Sequence, residues 1–173
     1  MSDYPMSGGC ACGAVRYEVR SPPLFVHCCH CTDCQRETGA AFAWNAPIES
    51  DRVAPMRGEP VLVDTPTSSG GTQRIARCPD CFTALWSHYG GAGPITMYLR
   101  VATLDDPGQW PPRAHIYVRS AQAWLSAAGR RSEEATAPQF SAHYDAQRVW
   151  PAESLARWRA LRPQIEAWRA GRG

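Results

Sequence analysis

The sequence, 173 residues long, predicts a mainly β protein that ends in a C-terminal amphipathic helix. Three observations carry that prediction. Pro (15) and Gly (14) interrupt the chain often, which suits a turn-rich β fold better than a helical bundle. Short apolar runs, some alternating with period two, recur between those interruptions. Only the last stretch repeats its apolar residues at helical spacing.

The elements follow in order. Residues 8–13, Gly-Gly-Cys-Ala-Cys-Gly, read as a tight turn whose glycines let the backbone wrap an ion. Ala14–Val19 alternates apolar and polar residues, the mark of a half-buried strand. Pro22-Pro23 ends it, and Leu24–Cys28 forms a short strand leading to further cysteines. Cys31–Thr38 reads as a helical turn that sets Cys34 three residues from Cys31 on one face. Ala40–Trp44 and Val61–Val63 are strand candidates, and Ser68–Gly71 is a turn. Thr72–Arg77 leads into Cys78-Pro-Asp-Cys81 and Thr83–Tyr89 leads out, giving a strand–knuckle–strand hairpin. Met97–Ala102 and His115–Val118 are two more strands, with loops at Asp105–Gly108 and Pro111-Pro112 between them.

Trp150–Ser154 carries helix-start signals: a proline at the first helical turn and an acidic residue behind it. Leu155, Trp158, Leu161, Ile165 and Trp168 then recur along one face, and Pro163 is expected to kink or split the helix. The chain therefore divides into a cysteine-rich, mainly β domain over residues 1–144 and a helical extension over 145–173.

Composition excludes several functions. Net charge is +2 and the charged fraction 20%, so no field favours nucleic acid or an anionic membrane. All 18 basic residues are Arg, but no basic patch with interleaved aromatics marks a nucleic-acid binder. No apolar run is long enough to span a bilayer, and the N-terminus lacks the pattern of a secretory leader. A cytoplasmic location is expected, where clustered cysteines serve more often as metal ligands than as disulfides.

Seven of the eight cysteines fall into three clusters: Cys10 and Cys12; Cys29, Cys31 and Cys34; Cys78 and Cys81. Thiolates two or three residues apart at a turn can both point at one ion, which suits zinc. Seven ligands divide into one closed set of four and one open set of three. The pairs Cys10/Cys12 and Cys78/Cys81 make the closed site, joining segments 66 positions apart. Cys29, Cys31 and Cys34 hold a second zinc, with water or substrate as fourth ligand. The rival arrangement closes this middle site with Cys28, or with an imidazole such as His27 or His30. Three thiolates make zinc a weak Lewis acid but a good captor of an incoming thiol, which the metal deprotonates. The chemistry this favours is thiolate attack on a small electrophile, or the reverse cleavage of a carbon–sulfur bond.

Gly9-Cys-Ala-Cys-Gly-Ala-Val-Arg-Tyr17, Cys29-His-Cys31-Thr-Asp-Cys34-Gln-Arg-Glu-Thr-Gly39 and Cys78-Pro-Asp-Cys81 together resemble the glutathione-dependent formaldehyde-activating family, which includes centromere protein V-like proteins. Leu104-Asp-Asp-Pro107, His115-Ile-Tyr-Val118 and Ala123-Trp-Leu125 resemble its C-terminal pattern, and the likeness covers roughly residues 7–142. The resemblance implies a β-tent of small antiparallel sheets braced by zinc. It implies a structural zinc on Cys10, Cys12, Cys78 and Cys81, and a catalytic zinc on Cys29, Cys31 and Cys34. It also implies glutathione as the thiol, formaldehyde as the electrophile, and carbon–sulfur lyase activity. The alternative is a non-catalytic zinc-binding interaction module.

The sequence departs from the family pattern at three places. Phe82 stands after the knuckle where glycine is usual, and glycine there supplies a backbone angle that a bulky residue adopts at a cost. Arg77 replaces the usual aromatic before the knuckle. The tail from about Asp145 has no counterpart. Among other residues, His115 is expected to be structural, His88 and His143 to lie at the surface, and Trp44 and Trp124 to belong to the core. Arg36 is a candidate for a substrate carboxylate. The tail's apolar stripe is expected to dock on this domain or on a second copy, the latter giving a homodimer through the C-terminal helix.

Overall fold

The computed structural model describes residues 4–127 and 137–171. In chain order its strands begin with β1 (Met6–Gly9), β2 (Arg16–Val19) and β3 (His27–Cys29), followed by helix α1 (Thr32–Thr38). Then come β4 (Ala43–Glu49), β5 (Val53–Arg57), β6 (Val61–Pro66), β7 (Thr72–Arg77), β8 (Ala84–His88) and β9 (Thr96–Arg100). The last third carries β10 (His115–Ile116), α2 (Ala123–Ala127), β11 (Gln139–Phe140), α3 (Ala146–Val149), α4 (Ala152–Ala160) and α5 (Arg162–Ala170).

The strands form two sheets. A small antiparallel sheet has the order β1-β2-β5, and a large one runs β11-β10-β3-β4-β9-β8-β7-β6. Among the described residues of the large sheet only β10 pairs in parallel, with β3 on one side and β11 on the other. The mainly β expectation with a terminal helix therefore holds. The turn expected over residues 8–13 starts later, because Met6–Gly9 pairs with β2. Gly8 permits that pairing: a Cβ there would lie 2.5 Å from the Tyr17 ring and 2.6 Å from the Thr103 carbonyl.

Register decides which side chains share a face, since alternate residues of a strand point to opposite sides. Ala46 pairs with Leu99 and Ile48 with Met97. These four join Tyr17 and Val19 of the small sheet in the main buried cluster. The Tyr17 and Trp86 rings meet edge to face at 6.0 Å and 88°. The other face of the same strands carries polar residues. His27 pairs with Asn45, and Asn45 with Arg100, so one row crosses β3, β4 and β9. Cys29 stands two residues from His27 on that face, and Tyr98 two residues from Arg100.

The tail docks on its own chain. Proline has no amide to donate, and the helix splits ahead of Pro163, at Leu161, as expected. Leu161 and Ile165 are buried against Ala92. Arg169 donates to the Gly91 carbonyl at 2.7 Å. Arg157 grips the buried Glu49 carboxylate with two bonds, at 2.8 and 2.5 Å. Leu161 and Ile165 of the stripe thus find cover on this domain. Among the described residues no helix is long and apolar enough to cross a membrane.

Candidate metal centre

The β1–β2 turn and the β7–β8 knuckle bring four sulfurs together. Cys10 and Cys12 lie 3.5 Å apart, Cys12 and Cys78 3.7 Å, and all four ligand atoms fall within 4.8 Å of one another. A tetrahedron of zinc–sulfur bonds has edges of about 3.8 Å, so the donor set fits zinc. The turn is shaped by Gly13 at φ +75 and by the Cys10 amide donating to the Val15 carbonyl at 3.0 Å. The Val15 amide in turn donates to the Cys10 sulfur at 3.2 Å. At the knuckle, hydrogen bonds from the Thr83 side chain and backbone pull the Cys81 thiol down to about 5.

Phe82 adopts the left-handed backbone that glycine would, with φ +58, and its ring is 65% exposed. Arg77 steadies this strained position by donating to the Phe82 carbonyl at 3.1 Å. Its other nitrogen reaches Glu37 on α1 at 2.5 Å. The two departures from the family pattern are thus bonded to each other.

The second group sits where β3 passes into α1. Cys29 ends the strand. Cys31 caps the helix, its sulfur accepting from the Cys34 amide at 3.4 Å. Gly39 closes the helix in the left-handed region at φ +63. The three ligand atoms lie within 4.8 Å of one another, and among the described residues no other ligand joins them. Thiol hydrogen bonds from Cys29 and Cys34 drive the Cys31 pKa down to about 2. The bond with Cys31 pushes Cys29 up to about 12, and bonds with Cys29 and Cys31 push Cys34 up as well. Three sulfurs this close cannot all be thiolates at low cost without a cation between them. Both groups could hold metal ions, and an all-sulfur donor set is compatible with zinc.

The alternative fourth ligands point elsewhere. Cys28 pairs with Trp44, placing it on the sheet face opposite Cys29. His30 also turns that way, its Nε2 lying 2.9 Å from the Nδ1 of His115. His27 shares the face of Cys29, but its Nδ1 meets the Tyr144 hydroxyl at 2.9 Å.

A cavity of about 440 Å³ opens on the three-cysteine group. Besides the three sulfurs its wall includes Asn45, Tyr98 and Arg100. The β6–β7 hairpin tip closes one side, where the Asp33 carboxylate accepts from the Ser68 amide at 2.9 Å and hydroxyl at 2.7 Å. At the four-cysteine group, by contrast, Cys12 is exposed at the surface.

Other expectations need adjustment. Arg36 is exposed and does not line the cavity, because α1 turns it outward; Arg100 from β9 is the buried guanidinium there. His143, expected only at the surface, lines the cavity while remaining exposed. Trp124 is 60% exposed rather than core, whereas Trp44 packs against the main cluster. His115 is structural as expected, bridging to His30. His88 is half-buried, its Nδ1 2.8 Å from the Thr96 carbonyl oxygen.

The sequence model of the glutathione-dependent formaldehyde-activating enzyme family matches residues 5–120, which include both cysteine groups. The chain belongs to this family. A Halomonas elongata relative, provisionally named a glutathione-dependent formaldehyde-activating enzyme, is 26% identical over 160 residues, covering 90% of this chain and 94% of its own. A crystal structure of a Rhodobacter sphaeroides protein aligns with a TM-score of 0.45 and 24% identity, over 58% of this chain and 88% of that one. Family membership implies a function related to glutathione and formaldehyde, with candidate metal-binding cysteines.

Proposed function

We propose that the protein is a cytoplasmic carbon–sulfur lyase of the glutathione-dependent formaldehyde-activating type, acting on a small thiol and its aldehyde adduct. The observation that carries this reading is the cavity of about 440 Å³ that opens on the three-sulfur group. Cys29, Cys31 and Cys34 would hold a zinc ion, with substrate access from the cavity. Bound there, zinc would supply the acidity that turns an incoming thiol into a nucleophilic thiolate. Cys10, Cys12, Cys78 and Cys81 would hold a second ion in a closed structural set, tying the first hairpin to the knuckle.

The reaction balances without a redox partner. The thiol sulfur bonds to the aldehyde carbon, the carbonyl π bond breaks, and the thiol proton ends on the new hydroxyl. The chain's part is to position both reactants and to meet the charge that develops on oxygen. Tyr98 and Tyr117 line the same cavity, and burial raises the pKa of both phenols. Both therefore stay protonated at neutral pH and can donate to that oxygen. The Asp33–Ser68 bonds hold the hairpin tip over the reactants.

The test is exchange of formaldehyde with glutathione, followed by NMR under equilibrium conditions. The spontaneous reaction is itself fast, so the control is Cys31→Ser at equal concentration. Wild-type protein is expected to speed the exchange at least tenfold over that variant. Equal rates across several thiols and aldehydes would retire the enzyme.

A further inference from the structure

Arg100 is charged, 7% exposed, and part of the cavity wall. Burying a guanidinium is costly unless an anion compensates it. Its Nη1 donates to the neutral Asn45 side-chain oxygen. Its Nε has no hydrogen-bond partner, and among the described residues no carboxylate pairs with it. Its ionisable neighbours include Cys34, Glu37 and Cys29. Glu37 is engaged by Arg77, and the sulfurs are engaged with each other. A planar donor fork in a cavity, with one arm fixed and another unused, is built to receive a carboxylate.

The spacing sets where that carboxylate sits relative to sulfur. Arg100 lies two strands from β3, and Cys29 two residues further along it. Strand geometry puts their Cα atoms roughly 12 Å apart, and the arginine side chain covers about half of that distance. The remainder matches a thiol and a carboxylate on one small, peptide-sized molecule. We propose that Arg100 anchors a carboxylate of the thiol substrate, so that the site selects acidic thiols over neutral ones. The inference rests on the thiol-capture function above and adds the feature by which the thiol is chosen.

The experiment is calorimetric titration of zinc-loaded protein with 3-mercaptopropionate, its primary amide, and the S-methyl derivatives of both. Wild type is expected to bind the acid at least tenfold more tightly than the amide. The same preference is expected within the S-methyl pair, which removes any difference in thiol acidity. Arg100→Gln should narrow the acid–amide ratio to below twofold while leaving the amide's affinity in place. Equal binding of acid and amide by wild type overturns the proposal, and that comparison needs no variant to fold. If the free thiols bind no better than their S-methyl counterparts, thiol capture fails instead. The acid–amide ratio within the S-methyl pair still decides the role of Arg100.

Discussion

The two cysteine groups use the same donor atom and differ in almost everything else. The four-cysteine group draws pairs from two turns separated by 66 positions, and its Cys12 is exposed at the surface. The three-cysteine group comes from six consecutive residues, at a strand end and a helix start, and forms part of a cavity wall. A ligand set gathered from distant segments stabilises the fold, because the unfolded chain cannot hold it together. A set gathered locally cross-links little and is free to serve chemistry. On the proposed reading, ligand separation along the chain divides the structural set from the catalytic one.

The comparison breaks most readily at its stability end. Cys78→Ser opens the long-range set and is expected to cost about 3 kcal/mol or more, lowering the melting temperature by roughly 10 °C. Cys31→Ser should lower it by no more than about 3 °C, since the local set closes no long loop. Thermal melts of the two zinc-loaded variants in parallel check this, and the reverse ranking would exchange the two roles.

A metal-free cross-link sets the scale between those two values. Arg157→Ala strands the Glu49 carboxylate, which is buried, while Arg157 itself stays partly in contact with water. The loss expected from urea unfolding is about 2 kcal/mol, below the range for fully buried pairs. A change under 0.5 kcal/mol would mean that the tail rests on the domain without bracing it.

The smallest effect lies inside the knuckle. Phe82→Gly removes a left-handed side chain that is 65% exposed and buries little. It should stabilise the zinc-loaded protein by up to about 1 kcal/mol. A loss of stability would show that the ring makes contacts worth more than the strain.

Much of this was legible in the sequence, for physical reasons specific to each element. The knuckle hairpin was plain because Cys-Pro-Asp-Cys fixes a turn and the flanking strands alternate. The division of cysteines into four and three follows from ligand spacing, and the register of β3 explains why Cys28 stays out. Two strands of the small sheet were not legible. Met6–Gly9 carries two glycines and no β-branched residue, and forms because Gly8 lets Tyr17 approach. Val53–Arg57 contains Pro55 and sits at the sheet edge, where proline is tolerated. Arg100 was missed for a different reason. Alternation within Met97–Ala102 assigns an arginine to solvent, but this sheet covers both faces, one with the apolar core and the other with the cavity.

The most direct measurement of the contrast between a closed and an open site is zinc X-ray absorption on the fully loaded protein, with and without glutathione. One four-sulfur and one three-sulfur site average about 3.5 sulfurs per zinc, and thiol capture should raise that to about 4. S-methylglutathione should leave the value unchanged. A shell of four sulfurs before any thiol is added, or no rise after it, would contradict an open site at Cys29, Cys31 and Cys34.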